Sequence, residues 1–228
     1  MSAVKIISVL LVEDHVVVRQ SLSKLLIADG HCAVVGEART GREAIELAAK
    51  LRPDVILLDI ALPELNGLSA MRRILAVDPT AKFLVLSAHS DQIYVERMIS
   101  AGAIGFLEKQ TSAAILIEAI HQVAQGKAFF SPAITKRIST KKNRSGDRHD
   151  LRKHDNRSLT PRENEVLQLI AEGHSNKQAA TLLGISFKTV EKHRQHLMNK
   201  LDIHETAGLT RYAMLHGIIE SSVRITII

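Results

Sequence analysis

Five side chains in the first half of this sequence interrupt apolar runs at points where chemistry could be done. Glu13 and Asp14 follow the run ISVLLV, Asp59 ends VILLD, Ser87 ends KFLVLS, and Lys109 follows GFLE. Three carboxylates converging on a small pocket repel one another strongly unless a cation lies between them. Oxygen-only ligands with room for water and a phosphate favour Mg2+. A nearby lysine and a hydroxyl can then stabilise charge on a transferring phosphoryl group. Each residue alone is an ordinary cap or loop-end polar. Five of complementary chemistry at four strand ends point to phosphoryl transfer.

The elements that must position them alternate. Apolar runs at Ile6–Val12, Cys32–Ala38, Val55–Asp59, Lys82–Ser87 and Gly105–Leu107 read as strands. Apolar spacings of three and four over His15–Asp29, Gly41–Lys50, Ser69–Val77, Gln92–Ala101 and Ser112–Gln125 read as helices. Five strand–helix units in a row require right-handed crossovers and a parallel sheet covered on both faces, a doubly wound α/β domain. In such open sheets ligands bind beyond the carboxyl ends of the strands, which is where the five polar groups fall.

Helical signals stop near Ile138, and the stretch 139–158 is polar and aperiodic, a flexible linker. From Ser158 the pattern is purely helical. Thr160, Pro161 and Glu163 form an N-terminal capping signature for a helix that runs to Gly173. A short helix near Asn176–Leu183, the turn Gly184-Ile185-Ser186, a longer helix over Phe187–Leu201 and a last one near Thr206–His216 complete a small all-α domain. The expected organisation is therefore 1–130, a linker at 131–157, and 158–228.

On a wheel at about 100° per residue, Val190, Leu197 and Leu201 fall within about 20° of one line, a narrow apolar stripe. Lys188, Lys192, Gln195 and Asn199 cluster opposite it, with Glu191 and His196 at the edges. A helix with one apolar stripe and a Lys/Gln/Asn face can enter a major groove and reach base edges.

Composition sets limits. The chain of 228 residues carries a formal net charge of +6. Residues 131–158 hold 9 Lys/Arg against 3 Asp/Glu, whereas 1–130 hold 13 against 14 and 159–228 hold 8 against 7, so the positive excess lies in the linker. Such a segment attracts nucleic acid or an anionic surface, or is simply solvated. Aromatic residues at 3%, with no Trp, argue against recognition by base stacking. No apolar run approaches the roughly 18–20 residues that span a bilayer, and the opening apolar run ends in two acids rather than a cleavage site. A soluble, cytoplasmic protein with no membrane partner is expected. The single cysteine, Cys32, can form no internal disulfide, which fits a reducing compartment. His149 and His154 lie five apart in the linker without a completing ligand set.

The segments VEDH (12–15), LLDIALPELNG (57–67), LSAH (86–89) and AGAIGFLEK (101–109) resemble the receiver domain of two-component response regulators over about residues 5–127. The stretch 159–201, through LTPRE, GHSNKQAA and SFKTVEKHR, resembles the LuxR-type helix-turn-helix of the NarL/FixJ group. The first resemblance implies a flavodoxin-like five-stranded sheet of order 2-1-3-4-5. It implies Asp59 as phosphoacceptor, Mg2+ held by Glu13, Asp14, Asp59 and the backbone carbonyl of Ala61, and Lys109 paired with the phosphoryl group. Ser87 and Phe106 would be the switch pair, the ring turning inward as the hydroxyl moves toward phosphate. Phe106 stands where the family often has Tyr, and Gln110 where it often has Pro or Asp.

The second resemblance implies base contacts from Glu191, Lys192 and Gln195, while Lys177, Lys188, Thr189 and Arg194 suit phosphate contacts. Together they imply a transcription factor with a sensor histidine kinase, double-stranded DNA and RNA polymerase as partners, dimeric when phosphorylated. Catalysis would be confined to its own phosphoryl transfer and slow dephosphorylation. An aspartyl-phosphate hydrolase would need a general acid two residues beyond the nucleophile, where Ala61 stands. A constitutive DNA-binding protein with a vestigial receiver would lack the acids or the lysine, and all are present.

Overall fold

The computed structural model describes residues 6–88, 92–130 and 159–219, with side chains described from 95 rather than 92 in the second of these ranges. The chain divides into two compact units, with the division between residues 153 and 154. The expected linker at 131–157, its two histidines and the expected domain start at 158 lie outside the described residues.

The first unit alternates strand and helix: β1 (Ile7–Val12), α1 (Val16–Asp29), β2 (Cys32–Ala38), α2 (Gly41–Leu51), β3 (Val55–Asp59), α3 (Gly67–Val77), β4 (Phe83–Ser87), α4 (Gln92–Ser100), β5 (Gly105–Glu108) and α5 (Ala113–Ala124). A sixth strand, β6 (Phe129–Phe130), follows, and all pairings are parallel in the order β2-β1-β3-β4-β5-β6. The expected five-stranded sheet is thus corrected to six. Two residues carry no period, and β6 is defined by its pairing with β5, Gly105 against Phe129 and Phe106 against Phe130.

Strands β3 and β4 are buried at every position, because helices cover both faces. Side chains alternate between two cores. Leu10, Val12, Ile56, Leu58, Val85 and Phe106 pack with Ala44, Met71 and Met98 from α2, α3 and α4. Val9, Leu11, Val55, Leu57, Leu84 and Leu107 pack with Leu26 of α1 and Leu116, Ala119 and Ile120 of α5. Each large apolar side chain so buried contributes about 1.5–3 kcal/mol. The sheet is therefore a stiff base for whatever its carboxyl rim carries. At that rim Gly67 donates its N–H to the Ile60 carbonyl, and a Cβ on it would lie 2.2 Å from the Asp59 carbonyl oxygen. Only glycine lets α3 start this close to the end of β3.

The second unit holds α6 (Pro161–Ala171), α7 (Asn176–Leu183), α8 (Phe187–Leu201) and α9 (Thr206–Leu215) around a core of Val166, Leu169, Ile170, Ala179, Leu183, Val190, Leu197 and Leu209. The expected capping box at α6 is present: the Thr160 hydroxyl accepts from the Glu163 N–H at 3.2 Å, and the Glu163 carboxylate accepts from the Thr160 N–H at 2.8 Å. Ser175 and Gln178 repeat the device at α7, and Ser186 caps α8. Gly184, at φ +63°, closes α7 and opens the turn to α8.

Glu163 also accepts from Lys200 Nζ at 2.7 Å, which ties α6 to the end of α8. Burial alone would raise the Glu163 carboxyl, but hydrogen bonds from Lys200 and Thr160 outweigh it and hold the group below its ordinary value. A depressed carboxyl stabilises the fold above its unfolded value and loses that contribution as pH falls through the folded one. Thr160→Ala is expected to lower local stability by about 1 kcal/mol. Glu163→Gln, which keeps an acceptor but loses the charge, is expected to cost on the order of 0.5–1 kcal/mol at neutral pH. That second cost vanishes on acidification below the ordinary carboxylate range. Hydrogen exchange of peptides spanning residues 161–171, read against pH, measures both.

Candidate functional site

Strand ends bring the expected groups together. Glu13 and Asp14 leave β1, Asp59 is the last residue of β3, Ser87 the last of β4, and Lys109 follows β5. Parallel pairing in register sets these ends side by side, and the Lys109 N–H donates to the Ser87 carbonyl at 2.8 Å. The Lys109 ammonium then reaches back over the rim. Its Nζ lies 2.8 Å from Asp59 Oδ2 and 2.9 Å from Glu13 Oε2. Asp59 is 1% exposed, as is Glu13, while Asp14 is half-buried. The Ala61 N–H approaches Asp59 Oδ1 at 3.4 Å, a long contact that orients the carboxylate.

Burial alone would lower the Lys109 ammonium, but the charge and hydrogen bond of Asp59, with the charge of Glu13, outweigh it and raise it above its ordinary value. The group is charged throughout the physiological range. Its stabilising contribution is full below the unfolded value and is lost only as pH rises through the folded one.

The pocket still holds more negative charge than one ammonium offsets. Glu13 Oε2 and Asp14 Oδ1 are inaccessible to solvent and accept no well-directed hydrogen bond, although Lys109 and His15 nitrogens lie 2.9 Å from them. The short distance to the ammonium makes Lys109 and Glu13 a charge pair, and the poor angles leave the lone pairs aimed elsewhere. Glu13, Asp14, His15 and Asp59 each place a donor atom within 4.8 Å of the others. Buried carboxylate oxygens without donors are costly, and a hard divalent cation with oxygen preference fits them.

Two residues of the site were not legible in the sequence. His15 Nδ1 lies 3.1 Å from Glu13 Oε1 and 2.9 Å from Asp14 Oδ1. Arg19, in α1 and only 3% exposed, donates to the carbonyls of Glu13 (2.7 Å) and Asp14 (3.2 Å) and to Glu37 Oε2 (3.1 Å). It fixes the acidic loop by its backbone, which no side-chain pattern discloses. Ser87 and Phe106 stand on adjacent strands as diagonal neighbours, and the Phe106 ring is fully buried against the core it shares with Val85 and Phe130.

In the second unit, α8 turns its apolar stripe, Val190 and Leu197, to the core. Lys188, Glu191, Lys192, Gln195 and Asn199 are exposed, as is Lys177 on α7, and Gln195 Nε2 donates to Asn199 Oδ1 at 3.0 Å. Thr189 is half-buried, its hydroxyl 2.8 Å from that of Ser186. Arg194 donates within the domain, to Asn176 Oδ1 at 3.1 Å and Thr206 Oγ1 at 2.9 Å, joining α8 to the starts of α7 and α9.

Comparison with known proteins finds two family matches along the chain. Residues 9–121 match the response regulator receiver domain, and residues 157–213 match the luxR family of bacterial regulatory proteins. The transcriptional regulatory protein MctR of Rhizobium johnstonii is 35% identical over 93% of this chain and 95% of its own length. The response regulator protein VraR of Staphylococcus aureus is 32% identical over 94% and 99%. Among solved structures, a LuxR-family two-component response regulator from Aurantimonas is 30% identical, with a TM-score of 0.57 over 61% of this chain and 99% of that one.

Removing the ammonium leaves the Glu13 and Asp59 carboxylates buried without their counter-charge. Lys109→Met is expected to lower stability by about 3 kcal/mol in the presence of a chelator. Added Mg2+ should raise the variant's melting temperature more than that of the native protein. Equal response of the two to Mg2+ in a thermal-shift titration would count against a cation site among these acids.

Proposed function

The chain belongs to the response regulators that join a receiver domain to a luxR-family DNA-binding domain, and on that premise we propose that Asp59 is the phosphoacceptor through which it is controlled. It is a phosphorylation-controlled transcription factor. The observation that carries the residue assignment is the Lys109 ammonium held 2.8 Å from Asp59 and 2.9 Å from Glu13 at the carboxyl rim of the sheet.

A sensor histidine kinase is the donor. The N–P bond of its phosphohistidine breaks as an O–P bond to the Asp59 carboxylate forms, and the leaving imidazole takes up a proton. Lys109 offsets charge on the phosphoryl oxygens, and the Ser87 hydroxyl donates to one of them. Glu13, Asp14, Asp59 and the Ala61 carbonyl would hold Mg2+, which supplies further charge neutralisation when bound. Arg19 keeps the Glu13–Asp14 backbone in place during the exchange. Catalysis goes no further than this transfer and slow hydrolysis of the product, since no general acid stands two residues beyond Asp59.

Phosphorylation adds about one to two negative charges to the rim. It acts by favouring one of two arrangements of a bistable element, here Ser87 and Phe106. The output is dimerisation and binding of double-stranded DNA, with α8 in the major groove. Glu191, Lys192 and Gln195 face the bases; Lys177, Lys188 and Thr189 meet phosphates, as does Arg194 through donors not used in bracing α8. RNA polymerase is the further partner at a promoter. No described helix is long and apolar enough to cross a membrane, and the protein works in the cytoplasm, where bacterial DNA lies.

Incubation with a small acyl-phosphate donor and Mg2+ should add the mass of one phosphoryl group to the native chain and none to Asp59→Asn. DNA affinity should rise only in the former. Equal affinity before and after treatment, or an adduct on Asp59→Asn, overturns the assignment. On DNA, Gln195→Ala should relax specificity at one base pair at a cost of about 1–3 kcal/mol, whereas Lys177→Ala should reduce the salt slope by about 1 without changing sequence preference. Binding-site selection and salt titrations read the two effects separately.

A further inference from the structure

At the opposite end of the sheet from Asp59, three potential ligands of different chemistry meet. Asp29 is the last residue of α1, Cys32 the first of β2, and His121 lies in the last turn of α5. Gly30, at φ +73°, reverses the chain between the first two. His121 Nε2 is 3.4 Å from Asp29 Oδ2, and one ligand atom of each of Asp29, Cys32 and His121 lies within 4.8 Å of the other two. Seven residues of β2 at about 3.3 Å each set this cluster roughly 20 Å from the acidic rim, so the two are separate.

We propose that Asp29, Cys32 and His121 form a second metal site, specific for a borderline transition ion, Zn2+ foremost, with an open fourth position. Carboxylate, imidazole and thiolate are the three ligand types that Zn2+ takes. Bonds of about 2.0–2.1 Å at tetrahedral angles put neighbouring oxygen and nitrogen ligands about 3.3 Å apart, close to the separation found here. A soft sulfur and a nitrogen disfavour Mg2+, so the cations of the two ends do not compete. The geometry also leaves access: Asp29 and His121 side chains are 15% and 33% exposed, while Cys32 closes the inner wall at 6%. His31, whose ring stands edge-on to His121 with centroids 6.0 Å apart, flanks the opening.

Burial, then the hydrogen bond and charge of Asp29, push the Cys32 thiol up to about 12, so it is neither a ready nucleophile nor an easy target of oxidation. Binding replaces the thiol proton with the ion and releases that proton to solvent, with no change of oxidation state. A site joining α1, β2 and α5 stabilises the folded chain by mass action.

Cys32 is the single cysteine of the sequence, which makes its sulfur spectroscopically unique. Reduced, metal-free full-length protein is titrated with Co2+, followed by Zn2+ competition. With excess Mg2+ present to occupy the acidic rim, the expected result is a thiolate-to-cobalt charge-transfer band that saturates at one ion per chain, retained in Asp59→Asn and abolished in Cys32→Ser. His121→Ala, a substitution at a partly exposed helix position, should keep the fold by circular dichroism and lose on the order of 10-fold or more in Zn2+ affinity. In the same excess of Mg2+, Zn2+ should raise the melting temperature of the native chain more than that of the variant. Absence of the band in the native chain, or Zn2+ affinity unchanged in His121→Ala, overturns the proposal.

Discussion

The receiver unit is organised around a repulsion. Carboxylates of Glu13, Asp14 and Asp59 are held within a few ångströms at the carboxyl rim of a parallel sheet, where burial of Glu13 and Asp59 limits screening by water. One ammonium, Lys109, bridges two of them. The rest of the unit serves to keep that unfavourable concentration in place. Six parallel strands fix the ends, two apolar cores stiffen them, and the Arg19 guanidinium holds the acidic loop by its carbonyls. The stored charge is what gives the rim its appetite for cations and for a group that can be neutralised by them.

The second unit solves a different problem, that of presenting a helix. Its core fixes one stripe of α8, and its polar bonds set the direction of that helix relative to α6, α7 and α9. Three side chains do most of the bracing. Arg162 donates to the Leu183 carbonyl, Lys200 to Glu163, and Arg194 to both flanking helices. Preorganisation of this kind reduces the ordering that binding would otherwise require. The exposed Lys, Gln and Asn side chains are left to meet a polyanion.

Much of this was legible in the sequence, for identifiable reasons. A strand buried on both faces is a near-continuous apolar run, so β3 came out residue for residue and the aspartate ending it marked the rim, while the bounds of the partly exposed edge strand β2 were also readable. The α6 cap was readable because Thr160, Pro161 and Glu163 act locally. What escaped was non-local. The guanidinium of Arg19 pairs with backbone of the preceding loop, and Arg194 bonds across two helices rather than standing in solvent. Strand β6 exists only as a partner of β5, and a pair of phenylalanines has no period to detect. Asp29 and His121 are 92 positions apart, and nothing in either segment refers to the other.

That short β6 gives the receiver unit an unusual seam. The last described residues of the unit are hydrogen-bonded alongside the strand that bears Phe106 and leads into Lys109. Phe130 sits opposite Phe106 in register and packs against the same core. Were that ring to rearrange, the paired residues at the end of the described unit would be displaced directly, with no helix between them.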